Sequence, residues 1–298
     1  MKLTNKRNLP DAFFQAVKND GYSRGDADLS VTQAIDSPQV VELTRQNWDK
    51  LEEDVEDRVW SLFGQVTHGI LERANVHAVA ERRLTIEIEG WKVSGGMDLY
   101  DIDGTLTDYK TTSAWSLIFD GVEKWEKQLN CYAVLLRRHG HKVEKLQVVA
   151  MLRDWQRSRA QDDPTYPQSM VVNVDIPLWA PEIAEKYLRE RVILHKQARL
   201  TGQWSPCTAK ERWERGEKWA VKKIGGKVAV RGGLFDSEAE AKAFVGFDKN
   251  LYVEHRPGVP GRCLNYCAVK SFCPQAQGSG QDSSPQPSDD SGEVKTAV

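Results

Sequence analysis

The stretch WKVSGGMDLYDIDGTLTDYKTT (residues 91–112) constrains this chain more than any other part of it. It reads as two β-segments around the turn-forming run Asp101-Ile102-Asp103-Gly104. With the turn centred near Asp103, Asp98 and Asp108 stand five residues away on either side. In an antiparallel pair, residues so placed face each other with Cβ atoms about 4.5–5.5 Å apart. Side chains alternate with period two along a strand, so Lys110 projects from the same face as Asp108. A two-residue turn would shift the register by one and separate these groups. The tip must therefore be a loop of three or five residues, or carry a bulge. Two adjacent carboxylates repel unless a cation lies between them, and Mg²⁺ favours one or two carboxylates together with water and phosphate oxygens. The plain alternative for the same residues is a salt-bridged surface hairpin.

The flanking sequence supplies the rest of a domain. Residues 1–28 are polar and read as a loosely attached arm, after which Ser30 or Thr32 is placed to cap a helix. Residues 54–80 read as a long helix whose apolar stripe is Val59, Phe63, Val66 and Ile70, with His68 nearly opposite. LTIEIEGWKV reads as a hairpin turning at Glu89-Gly90. Residues 121–140 form an amphipathic helix with the stripe Trp125, Leu129, Tyr132 and Leu136, stopped by Gly140. KLQVVAML (145–152) and VVNVDIPLW are strands, and Pro181 and Gly202 bracket a last long helix. This order predicts an α/β (α+β) class, a central mixed sheet flanked by helices. The expected divisions are an arm at 1–28, a core at 29–202, a cysteine-containing segment at 203–274 packed on that core, and a low-complexity, disordered tail at 275–298.

Two families share residues with the turn. DIDGTLT carries the D-x-D-G-T-L-T signature of haloacid dehalogenase-type phosphatases, in which Asp101 would attack a phosphoryl group and Asp103 would shuttle a proton. That fold needs a continuous apolar strand before Asp101, whereas this chain has VSGGMDLY, with two glycines and a carboxylate. The whole arrangement more closely resembles the RecB-like branch of the PD-(D/E)XK nuclease superfamily, in particular phage and bacterial exonucleases that carry a C-terminal cysteine cluster. The resemblance rests on features in a fixed order: QVTHGILERA with His68, an acidic residue at Glu81 before the first hairpin, GGMD with Asp98, DYKT with Asp108 and Lys110, and QLNCY with Gln128 and Tyr132 one helical turn apart. It covers residues 30–273.

That resemblance implies a PD-(D/E)XK, restriction-endonuclease-like core and a divalent-metal-dependent DNA exonuclease acting in recombination, replication or repair. Asp98, Asp108, His68 and the backbone carbonyl of Tyr109 would hold Mg²⁺ or Mn²⁺, imidazole suiting Mn²⁺ better. Asp98, Asp108, Lys110 and Gln128 would be catalytic, Lys110 assisting the attacking water, and Tyr132 would border the substrate. The implied partners are DNA, as single- or double-stranded linear ends, and a single-strand annealing protein or recombinase. Trp115 and Trp155 are candidates to stack on the strand. A second reading, an inactive DNA-binding or scaffold protein on the same fold, meets an intact Asp98/Asp108/Lys110 set.

Five cysteines are too few for a disulfide scaffold in 298 residues. Cys263, Cys267 and Cys273 are closely spaced and Cys207 lies upstream; four thiolates can hold a [4Fe–4S] cluster or a zinc ion. The related nucleases use an iron–sulfur cluster, usually with C-x2-C-x5-C; here the spacing is C-x3-C-x5-C and Cys207 follows the core, which leaves zinc as the alternative. Cys131, inside the 121–140 helix, reads as a buried apolar residue. The net charge of -2 does not announce a nucleic-acid binder, but an acidic pocket with a basic rim cancels in the sum. Basic runs occur at 135–142 and 220–231. No apolar run approaches the roughly 18 residues of a membrane helix, and MKLTNKRNLPDAF lacks a signal-type core, so the expected location is the cytoplasm, that of a bacterial host if phage-encoded.

Overall fold

The computed structural model describes residues 1–20, 25–74, 79–118 and 121–278, with backbone only at 79–82, 121 and 278. The chain divides into two compact units, Met1–Pro206 and Cys207–Val298. None of the described helices is long and apolar enough to cross a membrane.

The first unit contains, in order, β1 (Lys2–Thr4), α1 (Asp11–Lys18), β2 (Leu29–Ser30), α2 (Val31–Ala34), α3 (Pro38–Gln46), β3 (Glu52–Asp54), α4 (Val55–Ala74), β4 (Val79–Ile88), β5 (Trp91–Tyr100), β6 (Thr105–Thr112), α5 (Ala114–Ile118), α6 (Gly121–Arg138), β7 (Lys145–Leu152), α7 (Arg157–Asp162), β8 (Val171–Ile176) and α8 (Pro181–Thr201). Its main sheet is mixed and is flanked by helices, an α/β arrangement.

β5 organises that sheet. One edge pairs antiparallel with β4 from Ile88↔Trp91 to Val79↔Tyr100, around a two-residue turn in which Glu89 and Gly90 both have positive φ (51° and 73°). That is the geometry matched to strand twist. The other edge is shared: β2 lies parallel at its start (Leu29↔Val93) and β6 antiparallel at its end (Leu99↔Thr107, Tyr100↔Leu106). β6 then runs parallel to β7 along its whole length, and β8 closes antiparallel on β7.

α6 is the central helix. Its predicted stripe is buried, and from Leu129 to Leu136 every residue is buried, as expected of a helix covered on more than one side. Cys131 is buried among them, and burial pushes its thiol up to about 12. Ser30 caps α2 through a reciprocal capping box with Gln33. Gly202 ends α8 in the left-handed conformation, φ 68°.

Three expectations are corrected. The described part of the segment 1–28 is not a loose arm: β1 pairs parallel with β3, and α1 packs on α4. The stripe of α4 does not face a core. Phe63, Val66 and Ile70 are 54%, 61% and 53% exposed, while Val59, Leu62 and His68 are half-buried. The physical reason is polar: the His68 ring bonds to the sheet and turns that side of the helix inward. The boundary after the core falls at 206/207 rather than 202/203.

The second unit holds β9 (Glu214–Arg215), β10 (Lys218–Lys223), β11 (Ala229–Phe235), α9 (Glu238–Val245), β12 (Leu251–Arg256), β13 (Val259–Pro260), α10 (Gly261–Asn265) and α11 (Pro274–Gly278). β11, β10 and β12 make an antiparallel sheet against which α9 packs, and β13 pairs with β9. The basic run 220–231 is thus mainly a hairpin, with Lys222 paired to Glu254 at 2.8 Å. The first residues assigned to the tail are helical, as α11; residues 279–298 lie outside the described part.

Packing generates two predictions. A Cβ on Gly95 would lie 2.7 Å from Tyr132 Cε1, whereas one on Gly96 would meet only Arg83 Nη2 at 3.7 Å. Gly95→Ala is expected to cost about 1–3 kcal/mol by overpacking, and Gly96→Ala less than about 1 kcal/mol, read from urea unfolding. His195 is fully buried on α8; its Nε2–H donates to the Ala34 carbonyl at 3.2 Å, and its Nδ1 has no partner among the described residues. Burial, with Arg191 nearby, lowers its pKa to about 4. The unfolded chain therefore takes up a proton below about pH 6.5 that the folded chain refuses, so stability falls as pH drops from about 6.5 to about 4, by up to about 3 kcal/mol. Unfolding of the parent and of His195→Gln across that range should show the extra slope in the parent alone.

Candidate active site

The site is built where the β5–β6 ladder stops. Continued one step further in register, the ladder would set Asp98 opposite Asp108, and Tyr109 would next pair with Met97. Instead both backbone groups of Tyr109 are taken by side chains. Its N–H donates to Asp98 Oδ2 at 2.8 Å, and its carbonyl accepts from His68 Nε2 at 2.8 Å. The other nitrogen of the imidazole, Nδ1, lies 3.3 Å from Asp98 Oδ1. Backbone groups released from a ladder must find partners, and here the partners are the two residues that the sequence singled out.

The turn that sets this register is a three-residue loop. Asp101 N–H donates to the Thr105 carbonyl at 2.9 Å, Gly104 N–H donates to the Asp101 carbonyl at 3.0 Å, and Gly104 has φ 87°. This is the odd-numbered tip that the facing carboxylates require. Asp103 Oδ1 accepts from Thr105 N at 2.9 Å, and that bond holds its carboxyl below the usual range. Asp101 and Asp103 thus serve an exposed antiparallel turn, not the end of a buried parallel strand.

Asp108 is the most deeply buried acid of the group. Its side chain is only 5% exposed, and Lys110 Nζ lies 2.6 Å from Oδ2. That oxygen nevertheless receives no hydrogen bond of good geometry among the described residues. Burial pushes the Asp108 carboxyl upward; the Lys110 ammonium opposes this, and the charge on Asp98 adds to it. His68 is shifted upward, first by its hydrogen bond to Asp98. His68 thus stands beside Asp98 and Lys110 beside Asp108.

Gln128 and Tyr132 are both buried on α6 and bond to each other, Gln128 Nε2 donating to Tyr132 Oη at 2.9 Å. Gln128 makes no hydrogen bond to His68, Asp98, Asp108 or Lys110 among the described residues. The Tyr132 ring packs on Gly95 of β5, three residues before Asp98. This pair supports the strand that carries Asp98. The side chain of Glu81, on β4, lies outside the described residues.

The four predicted cysteines all lie in the second unit. Cys207 and Cys273 are buried, and Cys263 and Cys267 are half-buried. Burial raises the Cys263 thiol, and the neighbouring Cys267 and Cys273 raise it further. Cys207, distant in sequence, is tied back by Gln275: Cys207 N–H donates to Gln275 Oε1 and Gln275 Nε2 donates to the Cys207 carbonyl, both at 2.9 Å. The sequence alone placed Gln275 in the tail.

Among the described residues no three His, Cys, Asp or Glu side chains close around a common point as they stand. The donor types at the β5–β6 junction still fit a hard or borderline divalent cation: two carboxylates, an imidazole, a carbonyl, and among them a buried Asp108 Oδ2 that receives no well-aligned hydrogen bond among the described residues.

Neither a protein-family model nor a curated protein matches the chain. Among solved structures it is similar to one described as "Crystal structure of SSO0001", at 16% identity over 62% of this chain and 82% of that one, with a TM-score of 0.40. A likeness at that level fixes neither a fold family nor a chemistry.

Proposed function

We propose that this chain is a divalent-metal-dependent deoxyribonuclease with a PD-(D/E)XK core, acting as an exonuclease on DNA. The observation that carries the reading is the junction itself: the β5–β6 ladder stops where His68 contacts both Asp98 and the Tyr109 carbonyl, and the next residue along β6 from Tyr109 is Lys110, 2.6 Å from Asp108.

Asp98, Asp108, His68 and the Tyr109 carbonyl would hold Mg²⁺ or Mn²⁺. Such a cation supplies charge neutralisation on a phosphodiester and acidifies water. Asp98 is fixed at one oxygen by Tyr109 N–H, so it is oriented before any ligand arrives. Lys110, beside Asp108, would orient a water by donating to its oxygen from Nζ and would offset negative charge building on the phosphate. Tyr132 and Gln128 fix β5 from behind. The specificity for ends, as against internal bonds, rests on the family resemblance.

In the second unit, Cys207, Cys263, Cys267 and Cys273 would hold a [4Fe–4S] cluster, with zinc as the alternative. The support is energetic as well as compositional. The buried apolar residues there are Cys207, Ala220, Val221, Ala241, Val269 and Cys273, a set too small and too short-chained to make a substantial core. Units of this size commonly need a metal or other staple.

Two measurements test these readings. Linear, circular and single-stranded DNA incubated with Mg²⁺ or Mn²⁺ should be degraded from ends by the parent, and Lys110→Ala should lose about 10²-fold or more in rate while keeping DNA affinity. Equal rates in parent and variant would remove the catalytic assignment; no cleavage by the parent would leave a binding protein. The purified protein should also contain iron and sulfide, or zinc, and a Cys263→Ser/Cys267→Ser variant should lose that metal and expose Cys207–Gly278 to protease. Metal-free protein that resists protease equally would exclude the structural centre.

A further inference from the structure

The segment after β7 carries Arg153, Arg157 and Arg159, all exposed. None of the three forms an ion pair among the described residues, although Lys and Arg side chains elsewhere in the chain are widely paired. Two of them lie on indoles instead. The Arg153 guanidinium is 4.6 Å from the Trp60 ring centroid, and that of Arg159 is 5.4 Å from Trp115 and 5.7 Å from Tyr166. Trp60 and Trp115 remain 52% and 45% exposed. Phe63 extends the first pair, its ring centroid 5.6 Å from Trp60.

This surface is held in place. Arg153 N–H donates to the Thr112 carbonyl at 2.9 Å, Asp154 Oδ1 accepts from Ala114 N at 2.6 Å, and Gln156 N–H donates to Tyr166 Oη at 3.3 Å. Trp155 belongs to the support rather than the surface: it is half-buried and its Nε1–H donates to the Pro167 carbonyl at 2.7 Å. The position relative to the carboxylates follows from the elements. Thr112 shares a face of β6 with Asp108 and Lys110 and lies about 13 Å beyond Asp108. Trp60 precedes His68 on α4 by about 12 Å along the helix axis.

We propose that Trp60 and Trp115, each backed by an arginine, form a shelf for unpaired bases of a DNA strand as it leaves the carboxylate site, with Arg153, Arg157 and Arg159 meeting its phosphates. The identity of the adjoining site rests on the nuclease reading above; the shelf adds that the bound portion of the substrate is single-stranded. An exposed indole gains by stacking on a base that has lost its own neighbours, and hardly at all on one already stacked in a duplex. Guanidinium groups not held in an ion pair favour phosphate. The nearby acids accept from other groups, Asp154 from Ala114 N and Asp163 from Thr165, and Asp163 feels the Arg159 charge without forming an ion pair with it.

The test is affinity of the full chain for a fluorescent oligodeoxynucleotide, by anisotropy in EDTA, so that cleavage does not enter. Trp60→Ala or Trp115→Ala should each weaken single-strand binding roughly 10-fold, Trp→Phe at either position should restore most of it, and a duplex of the same sequence should move less than about 2-fold. A strand of abasic sites should bind the parent about as weakly as the normal strand binds the double alanine variant. Unchanged single-strand affinity in the alanine variants overturns the shelf, as does equal weakening for duplex and single strand. Self-association of the parent that the alanine variants abolish, with DNA binding untouched, would make this face a protein interface and overturns it too. The two readings separate cleanly. Tryptophan-dependent binding without metal-dependent cleavage keeps the shelf and ends the nuclease; cleavage with indifferent tryptophans does the reverse.

Discussion

The structure depends on a ladder that stops early. β5 and β6 pair at Tyr100↔Leu106 and Leu99↔Thr107, and then Tyr109 turns its N–H to Asp98 and its carbonyl to His68. Had the strands continued in register, those backbone groups would have been satisfied within the sheet, and Asp98 would have had nothing to fix its orientation. Two side-chain bonds in place of two ladder bonds leave the backbone satisfied while bringing helix α4 against the strand. The same junction buries Asp108, a position that burial alone would make untenable for a charged acid. The Lys110 ammonium, 2.6 Å from Asp108, opposes that cost.

The remainder of the first unit positions this junction. β5 is long enough to be held by β4 along one whole edge, while its other edge is divided between β2 and β6. The Tyr132 ring sits where Gly95 leaves no Cβ, so α6 approaches the strand closely just before Asp98. The second unit works by different means: a short three-stranded sheet, one helix against it, and a Gln275 side chain that holds the Cys207 backbone.

Much of this is legible in the sequence where the rule is local. Side-chain alternation and the turn residues DIDG are enough to set an odd-numbered tip and a register that points Asp98 toward Asp108, although the ladder stops one pair short of them. The caps at Ser30 and Gly202 and the stripe of α6 follow in the same way. What fails is the choice of partner. Periodicity finds the stripe Phe63, Val66 and Ile70 on α4 but does not say that the opposite, polar side is the one drawn to the sheet. The Gly225-Gly226 pair in the basic run 220–231 is a hairpin signal that charge obscures. Gln275 is indistinguishable from its low-complexity neighbours until Cys207 is beside it. Trp60 is hidden for the same reason as the stripe, being one aromatic in a helix whose outward face cannot be read from spacing alone. The proposed PD-(D/E)XK reading rests on motifs in order and on the junction geometry.

The most direct test of the central claim is a Mn²⁺ titration of the full-length protein, followed by the paramagnetic resonance signal of free Mn²⁺, in the parent and in Asp108→Asn. The account predicts one site in the parent, of micromolar to millimolar affinity on the order expected for a carboxylate cation site, and its loss in the variant. Saturating Mn²⁺ that never binds the parent, or binds parent and variant alike, would contradict it.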